Sequence, residues 1–306
     1  MKKFLITGGA GFVGSHLAEK LIERGDIVTI LDDLNTGKMN NLEKIKEKIN
    51  FVKGDIRDQE LLKEIFKDKD GIFHQAARAS VQESFIKPEE YEDVNVKGTE
   101  NVFKQSLEYG IKVVYASSSS VYGNPIELPI KENAPMNPIN PYAETKVKKE
   151  KLAEKYAKKG LQVIGMRYFN IFGERQSKEY AGVVKLFLER IQKKLAPKIN
   201  GDGLQARDFV YVGDVVNANI MAMESNIEHA FFNVGTNSQI SVLELAKIMI
   251  KAKEMDTNPI FGPALKGDVK FTIADINLIE ESLGWHPTIT IQEWLKQKIE
   301  NQNNQL

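Results

Sequence analysis

Four consecutive serines, Ser117 to Ser120, close the apolar run in IKVVYASSSSVYG. A serine run is ordinarily a flexible connector, but this one is short and follows a β-branched segment that reads as a buried strand. Serines at the end of a central strand of an open sheet stand where such sheets bind ligands. Downstream, PYAETK sets Tyr142 and Lys146 four residues apart, on one face of a helix, with Pro141 suited to its first turn. A free tyrosine titrates near ~10 and is a poor base at neutral pH. A lysine cation close by, helped by a positive nicotinamide ring, can lower that by roughly 1–3 units. Hydroxyl, phenol and ammonium together form a relay that takes the proton from a substrate alcohol beside a nicotinamide cofactor. A Tyr–Lys pair alone fits a solvated helix face equally well, so the relay requires a cofactor site elsewhere in the chain.

TGGAGFVGSHLAEKL provides one. It satisfies a G-x-x-G-x-x-G pattern at Gly8, Gly11 and Gly14 and a G-x-G-x-x-G pattern at Gly9, Gly11 and Gly14. Glycines so spaced between a strand and a helix permit a tight turn, approach of a pyrophosphate to the backbone, and close helix–strand packing. The free N–H groups and dipole of the helix then face that anion. Asp32 ends the next strand at the spacing expected of the carboxylate that binds an adenosine ribose. Asp33 follows it and no arginine stands close in sequence, which favours NAD over NADP. GDIRD, after the third strand, places Asp55 and Ile56 to address an adenine.

The elements that must position these groups alternate. KFLIT, DIVTILD, INFVKG, GIFHQA, KVVYAS and LQVIGMRY read as strands, with amphipathic stretches such as VGSHLAEKLIERG and TENVFKQSLEYG between them, each closed by a glycine. This rhythm predicts a Rossmann-type α/β fold, a doubly wound parallel sheet with right-handed crossovers. It breaks after about residue 175, where a smaller second lobe is expected. GNPIELPIKENAPMNPINPY, rich in proline, reads as one long loop.

Composition narrows the partners. Lys+Arg and Asp+Glu both number 42, which argues against a nucleic acid or an anionic membrane as the main ligand. There is no cysteine, so neither a thiol nucleophile nor a thiolate metal site exists. His16, His74, His229 and His286 lack metal-ligand spacing and are expected to pack, with no bound metal. No stretch approaches a membrane span, and the expectation is a soluble, cytoplasmic protein.

With these motifs in this order, the chain resembles the extended short-chain dehydrogenase/reductases over nearly its whole length, and among them the UDP-sugar 4-epimerases. The likeness rests on TGGAGFVG, ILDDLNTG, GDIRD, HQAARASVQES, VNVKGTENV, SSSSVYG, PYAETK, RYFNIFGERQ, NGDGLQARDFVYVGDVV and KGDV…AD…LGWHP. It implies catalysis by Ser118, Tyr142 and Lys146 and a retained NAD. Tyr142 would take the proton of the sugar 4-hydroxyl while C4 gives up hydride; the 4-keto sugar would turn over and regain hydride on its other face. The implied cofactor pocket takes Gly8, Gly11, Phe12, Val13 and Gly14 from the first motif. Asp32, Asp33, Asn35, Thr36 and Gly37 come from the second, Asp55 and Ile56 from the third, and Gln75, Ala76 and Ala77 from the fourth. Asn95, Tyr168 and Phe169 complete it, beside Tyr142 and Lys146. On the substrate side the likeness implies Ser80, Ser118, Ser119, Tyr142, Asn170, Arg207, Asp268 and Thr272. It also implies an NAD domain over residues 1–170, with a segment of about 209–236 returning to it, a UDP-sugar lobe over 171–306, and a homodimer through the helices at TENVFKQSLEYG and ETKVKKEKLAEKYAKK.

Details within the family separate reactions. The 4,6-dehydratases carry an acidic pair after the catalytic Thr, where this chain has Ser119 and Ser120. The UDP-glucuronate decarboxylases place a glutamate at the position of Ser120. UDP-glucuronate 4-epimerases can share SSSSVYG, so that substrate stays open, whereas RYFNIFGERQ is more similar to the neutral-sugar and N-acetylhexosamine enzymes. Thr272 stands where glucose/galactose-restricted members have a bulky residue, and its small size implies room for an N-acetyl group; Asn200 and Ser80 point the same way. Leu265 replaces a diphosphate-binding arginine common in the family, and the adjacent Lys266 is a candidate substitute. Arg207 suits a diphosphate through its bidentate guanidinium, the competing reading being an ion pair with Asp208 or Asp214. An NAD-linked nucleotide-sugar reductase and a non-catalytic NAD sensor are the remaining alternatives; the intact glycine turn and Tyr–Lys pair count against the sensor.

Overall fold

A computed structural model describes residues 1–176 and 182–303. The alternation read from the sequence folds into seven parallel strands: β1 (Lys3–Thr7), β2 (Ile27–Asp32), β3 (Ile49–Lys53), β4 (Gly71–His74), β5 (Val113–Ser118), β6 (Val163–Tyr168) and, after a long excursion, β11 (His229–Val234). Their order is β11-β6-β5-β4-β1-β2-β3. The chain winds outward from β1 to β3, then crosses back to β4 on the other side of β1. The carboxyl ends of β1 and β4 therefore flank the switch point, where open α/β sheets bind ligands.

Helices cover the sheet. They are α1 (Phe12–Glu23), α2 (Gln59–Phe66), α3 (Val81–Ser84), α4 (Pro88–Glu92), α5 (Thr99–Tyr109) and α6 (Pro141–Ala157). A π-helical run at Asp93–Gly98 joins α4 to α5. The inner strands are buried on both faces, as in parallel sheets covered by helices: on β1, Phe4 and Ile6 pack into one apolar cluster and Leu5 between them into the other. Gly110 ends α5 in the left-handed conformation at φ 67°. Asn140 begins α6 by accepting a hydrogen bond from Ala143 N at 2.8 Å, with Pro141 in the first turn.

The second lobe is built from short pieces: β7 (Asn170–Phe172), β8 (Lys198–Asn200), β9 (Ala206–Arg207), β10 (Phe209–Tyr211), β12 (Ile240–Ser241) and β13 (Ile260–Gly262). They pair as β7 with β10, β8 with β13 and β9 with β12. Helices α7 (Val183–Gln192), α9 (Val242–Ala252) and α11 (Ile291–Asn303) close a separate apolar cluster around Phe172, Phe187, Leu245 and Trp294. Between these pieces, α8 (Val212–Glu224) packs on α1, and α10 (Asn277–Leu283) packs on β11. No helix among the described residues is long and apolar enough to cross a membrane.

One buried ion pair joins the sheet to α6. Arg167 on β6 and Glu150 on α6 are 2% and 1% exposed and meet at 2.7 Å, with a second bond from Arg167 Nε at 3.0 Å. Removing one partner strands a charge in a dry interior. Arg167→Ala should therefore cost about 3–5 kcal/mol of stability in denaturant unfolding, while a Glu150→Leu/Arg167→Met double variant should recover most of that loss.

Candidate active site

A cavity of about 680 Å³ runs along the carboxyl ends of the strands and into the second lobe. Its wall begins at the glycine turn. Gly8 has φ +70°, and a Cβ there would lie 2.7 Å from Ala76 N, because the turn after β1 presses against the loop after β4. A Cβ on Gly14 would lie 2.2 Å from Gly8 O, so α1 can approach the turn only without a side chain there. Gly11 caps α1 with no side-chain hydrogen bond to the first-turn N–H groups. That leaves donors and a positive helix end facing the cavity. Asp32 stands at the end of β2 and accepts bonds from Ala10 N at 2.9 Å and Leu34 N at 2.8 Å. Burial raises its pKa, and the two N–H donors work against that rise. A glycine cradle, an uncapped helix end and a held carboxylate fit a dinucleotide.

Phe12, Val13, Thr36, Gly37, Asp55, Ile56, Gln75, Ala76, Ala77, Tyr168 and Phe169 also line the cavity. Asp33 lines it as well, but with a partner that sequence spacing did not show. Arg78, from the loop after β4, bonds Asp33 and Glu90 at 3.0 Å each. One cation between two carboxylates leaves the local charge negative, so this arginine does not create a site for a 2′-phosphate. Asn95 and Asn35 stand outside the wall. Asn95 is buried and braces the Arg78 backbone (N at 2.8 Å, O at 3.0 Å) against Thr145. Asn35 is exposed, its N–H donating to Asp33 Oδ1 at 2.9 Å.

At the end of β5, Ser118, Tyr142 and Lys146 line the cavity together. Lys146 Nζ donates to Ala116 O at 3.1 Å and lies 5.4 Å from the centre of the Tyr142 ring. Burial depresses Lys146 to about 8, although Glu150 favours its charged form. Among the protein's own groups, the balance at Tyr142 raises its pKa. Loss of water around the phenol outweighs the contribution of the Ser118 hydroxyl, which acts in the other direction. The chain's own groups therefore favour the phenol form of Tyr142.

Toward the second lobe, Asn170, Arg207 and Asp268 line the wall. Arg207 is paired, but with neither Asp208 nor Asp214: Nη2 binds Asp268 Oδ1 at 2.6 Å, and Nη1 binds the Ala206 and Lys270 carbonyls. Asp208 instead caps Thr236 and Ala274, and burial raises it to about 6. Thr272 stands just behind the wall, 3% exposed, with Oγ1 at 3.5 Å from Asn170 Nδ2. Ser80 and Ser119 also lie outside it: Ser80 caps α3, and Ser119 opens the turn after β5. Leu265 lines the cavity. Lys266, the candidate substitute, stands outside the wall, its ammonium 4.6 Å from the centre of the Phe85 ring. Lys185 and Lys198 do line the cavity, as does Arg175; none of the three was singled out by sequence, where lysines and arginines at loop and helix surfaces carry no distinguishing spacing.

Comparison with known proteins bears on this arrangement. Residues 4–235 match the family described as the NAD dependent epimerase/dehydratase family. The chain belongs to that family. A UDP-glucose 4-epimerase of Mycolicibacterium smegmatis is 37% identical over 303 residues, 97% of each chain. The crystal structure of a UDP-glucose 4-epimerase from Thermotoga maritima with UDP-glucose superimposes with a TM-score of 0.93 at 36% identity, covering 99% of both chains. A UDP-N-acetylglucosamine 4-epimerase from Methanobrevibacter ruminantium, in complex with UDP-N-acetylmuramic acid, also gives 0.93, at 35% identity and covering 100% of this chain and 99% of that one. The chain is an NAD-dependent enzyme of this family.

The depressed Lys146 makes a stability prediction. The unfolded chain, with a lysine near 10.5, binds this proton more tightly than the folded chain at about 8. The unfolding free energy should therefore rise with pH between those values and flatten outside them. In cofactor-free protein, Lys146→Met should remove that rise, so the difference between wild type and variant should shift by roughly 3 kcal/mol from pH 7.5 to 10.5 in urea titrations.

Proposed function

We propose that the protein is a UDP-hexose 4-epimerase that inverts C4 reversibly through a 4-keto sugar and accepts UDP-GlcNAc and UDP-GalNAc as well as UDP-Glc and UDP-Gal. One observation carries the reading: the reacting end of the cavity offers hydroxyls and an ammonium but no carboxylate. Among the described residues the carboxylates of the wall are Asp32, Asp33 and Asp55, on the far side of β4 and β1, and Asp268, engaged by Arg207. Elimination of water or loss of carbon dioxide would need a differently furnished strand end. Oxidation and return at one carbinol need only a group that takes and returns a proton.

NAD, when bound, supplies a hydride acceptor and the positive charge that Tyr142 lacks. Tyr142 takes the proton of the sugar 4-hydroxyl, with Ser118 bridging phenol and sugar and Lys146 holding charge beneath the ring. On return Tyr142 delivers the proton to the same oxygen. Residues 171–306 serve as the UDP-sugar lobe, with 209–236 returning to the NAD domain. Arg207 and Asp268 grip the nucleotide, and the hexose is left free to turn.

The test is a product assay without added reductant, in which UDP-GalNAc, UDP-Gal and UDP-glucuronate are incubated separately and resolved by chromatography. C4 epimers of the first two are expected. Turnover of the glucuronate alone would replace this reading with a UDP-glucuronate 4-epimerase, the reaction the serine run also allows. Release of a reduced or keto product would make it a reductase. Tyr142→Phe should lower turnover by roughly 10²–10⁴-fold, with UDP affinity preserved.

The N-acetyl preference has its own test. Because Thr272 stands behind Asn170, a tyrosine there cannot fit without pushing Asn170 into the cavity. Thr272→Tyr should abolish activity on UDP-GalNAc and spare UDP-Gal, as read from kcat/KM for each. Equal loss of both would rule out Thr272 as a determinant of sugar size.

A further inference from the structure

An enzyme that returns hydride to the sugar it came from must keep its dinucleotide through both halves of the reaction. The glycine turn and the strand ends form one wall of the groove, and a residue from the second lobe is tied to that wall. Arg175, three residues beyond β7, reaches back to the NAD domain: Nη1 donates to Ser15 Oγ at 3.3 Å and to the Asn41 carbonyl at 3.2 Å, and Nη2 pairs with the Glu19 carboxylate. Ser15 and Glu19 lie on α1, the helix whose uncapped end faces the cavity. Asn41 lies in the loop after β2 and is itself tied to the glycine turn, its Nδ2 donating to Ala10 O at 2.8 Å. Arg175 thus touches two of the segments that frame the cofactor groove, and it lines the same cavity as Gly11 and Phe12.

The backbone at this position is unusual as well. Arg175 holds φ at +65°, a conformation sparsely populated by residues other than glycine that persists only where its surroundings enforce it. The next residue is fastened as well. Gln176 O accepts from Lys185 on α7, and Gln176 Nε2 donates to Ile171 O at 3.4 Å. One end of the segment is anchored in the second lobe, and the guanidinium is anchored on α1. Because Glu19 neutralises the guanidinium, its contribution is a mechanical tie between lobes more than a free cation for the phosphates.

We propose that Arg175 and Glu19 form a clasp that retains the dinucleotide, making Arg175 a positioning residue for the cofactor. Dissociation of NAD then requires the Arg175–Glu19 pair to open.

The experiment measures release directly. Protein saturated with NAD is mixed with excess isotopically labelled NAD, and loss of unlabelled NAD from the filtered protein is followed by mass spectrometry. Arg175→Ala and Glu19→Ala should each release NAD faster than wild type, roughly tenfold or more, with UDP affinity by calorimetry unchanged. Arg175→Lys, which keeps a charge but loses the fork, should fall between. Unchanged release in both alanine variants, with native near-ultraviolet circular dichroism, would overturn the clasp. If an alanine variant fails to fold, Glu19→Gln and Arg175→Lys carry the same comparison, and wild-type release in both would overturn it equally. No turnover is needed for this readout. Failure of the epimerase assay with accelerated release in the variants would refute the proposed reaction and leave the clasp standing.

Discussion

The geometry of the site depends on a charge pair that does not itself line the cavity. Glu150, one turn beyond Lys146 on α6, accepts from Arg167 on β6 and also from Ser117 Oγ at 2.5 Å. Arg167 bonds the Tyr122 hydroxyl at 2.7 Å and the Glu132 carbonyl at 2.6 Å, and Tyr122 in turn bonds Asn233 on β11 at 2.7 Å. Ser117 precedes Ser118, and Tyr168 follows Arg167. The pair therefore fixes together the strand end that carries the serine, the helix that carries Tyr142 and Lys146, the start of the long loop, and the strand returning from the second lobe. A buried pair seldom adds net stability over an apolar contact of equal shape. Its use here is to leave these four segments one mutual arrangement.

The same burial sets the electrostatics. Lys146 and Tyr142 are both pushed toward their neutral forms, lysine down and tyrosine up. Glu150 opposes this at Lys146, and the Ser118 hydroxyl opposes it at Tyr142. On the proposed reaction, the positive charge that favours the Tyr142 phenolate would come with the cofactor, beside a phenol whose own surroundings favour the neutral form.

Much of the fold was legible because it is written in local periodicity. The six strands through residue 168, the glycine closing α5 and the proline opening α6 are each decided by neighbours a few residues apart. The second lobe was legible only as a change of rhythm, since strands of two or three residues leave no period to read. Within the site, the spacings of Gly8, Gly11 and Gly14 and of Tyr142 and Lys146 are also local. What escaped is long-range. Arg78 meeting Asp33, Arg207 meeting Asp268 and Arg175 meeting Glu19 join residues separated by 45, 61 and 156 positions. Helix α6 misleads in a further way. KVKKEKLAEK reads as a solvated charged face, yet Lys146, Lys149 and Glu150 all point inward. Lys149 Nζ is buried with no hydrogen-bond partner, 5.3 Å from the centre of the Tyr115 ring. Apolar pattern cannot reveal a buried face built from charges.

Substrate handling follows from where rigidity is placed. The cavity is firmly built at its ends: a glycine cradle that admits no side chain on one side, and an arginine held by a carboxylate and three carbonyls on the other. Between them stand Ser118 and Tyr142, each a rotatable hydroxyl that can donate or accept. A sugar that must present first one face and then the other gains nothing from directional groups around its ring, which would stabilise one orientation and slow the turn. On the proposed reaction, binding energy at the nucleotide instead keeps the oxidised sugar from leaving while it reorients.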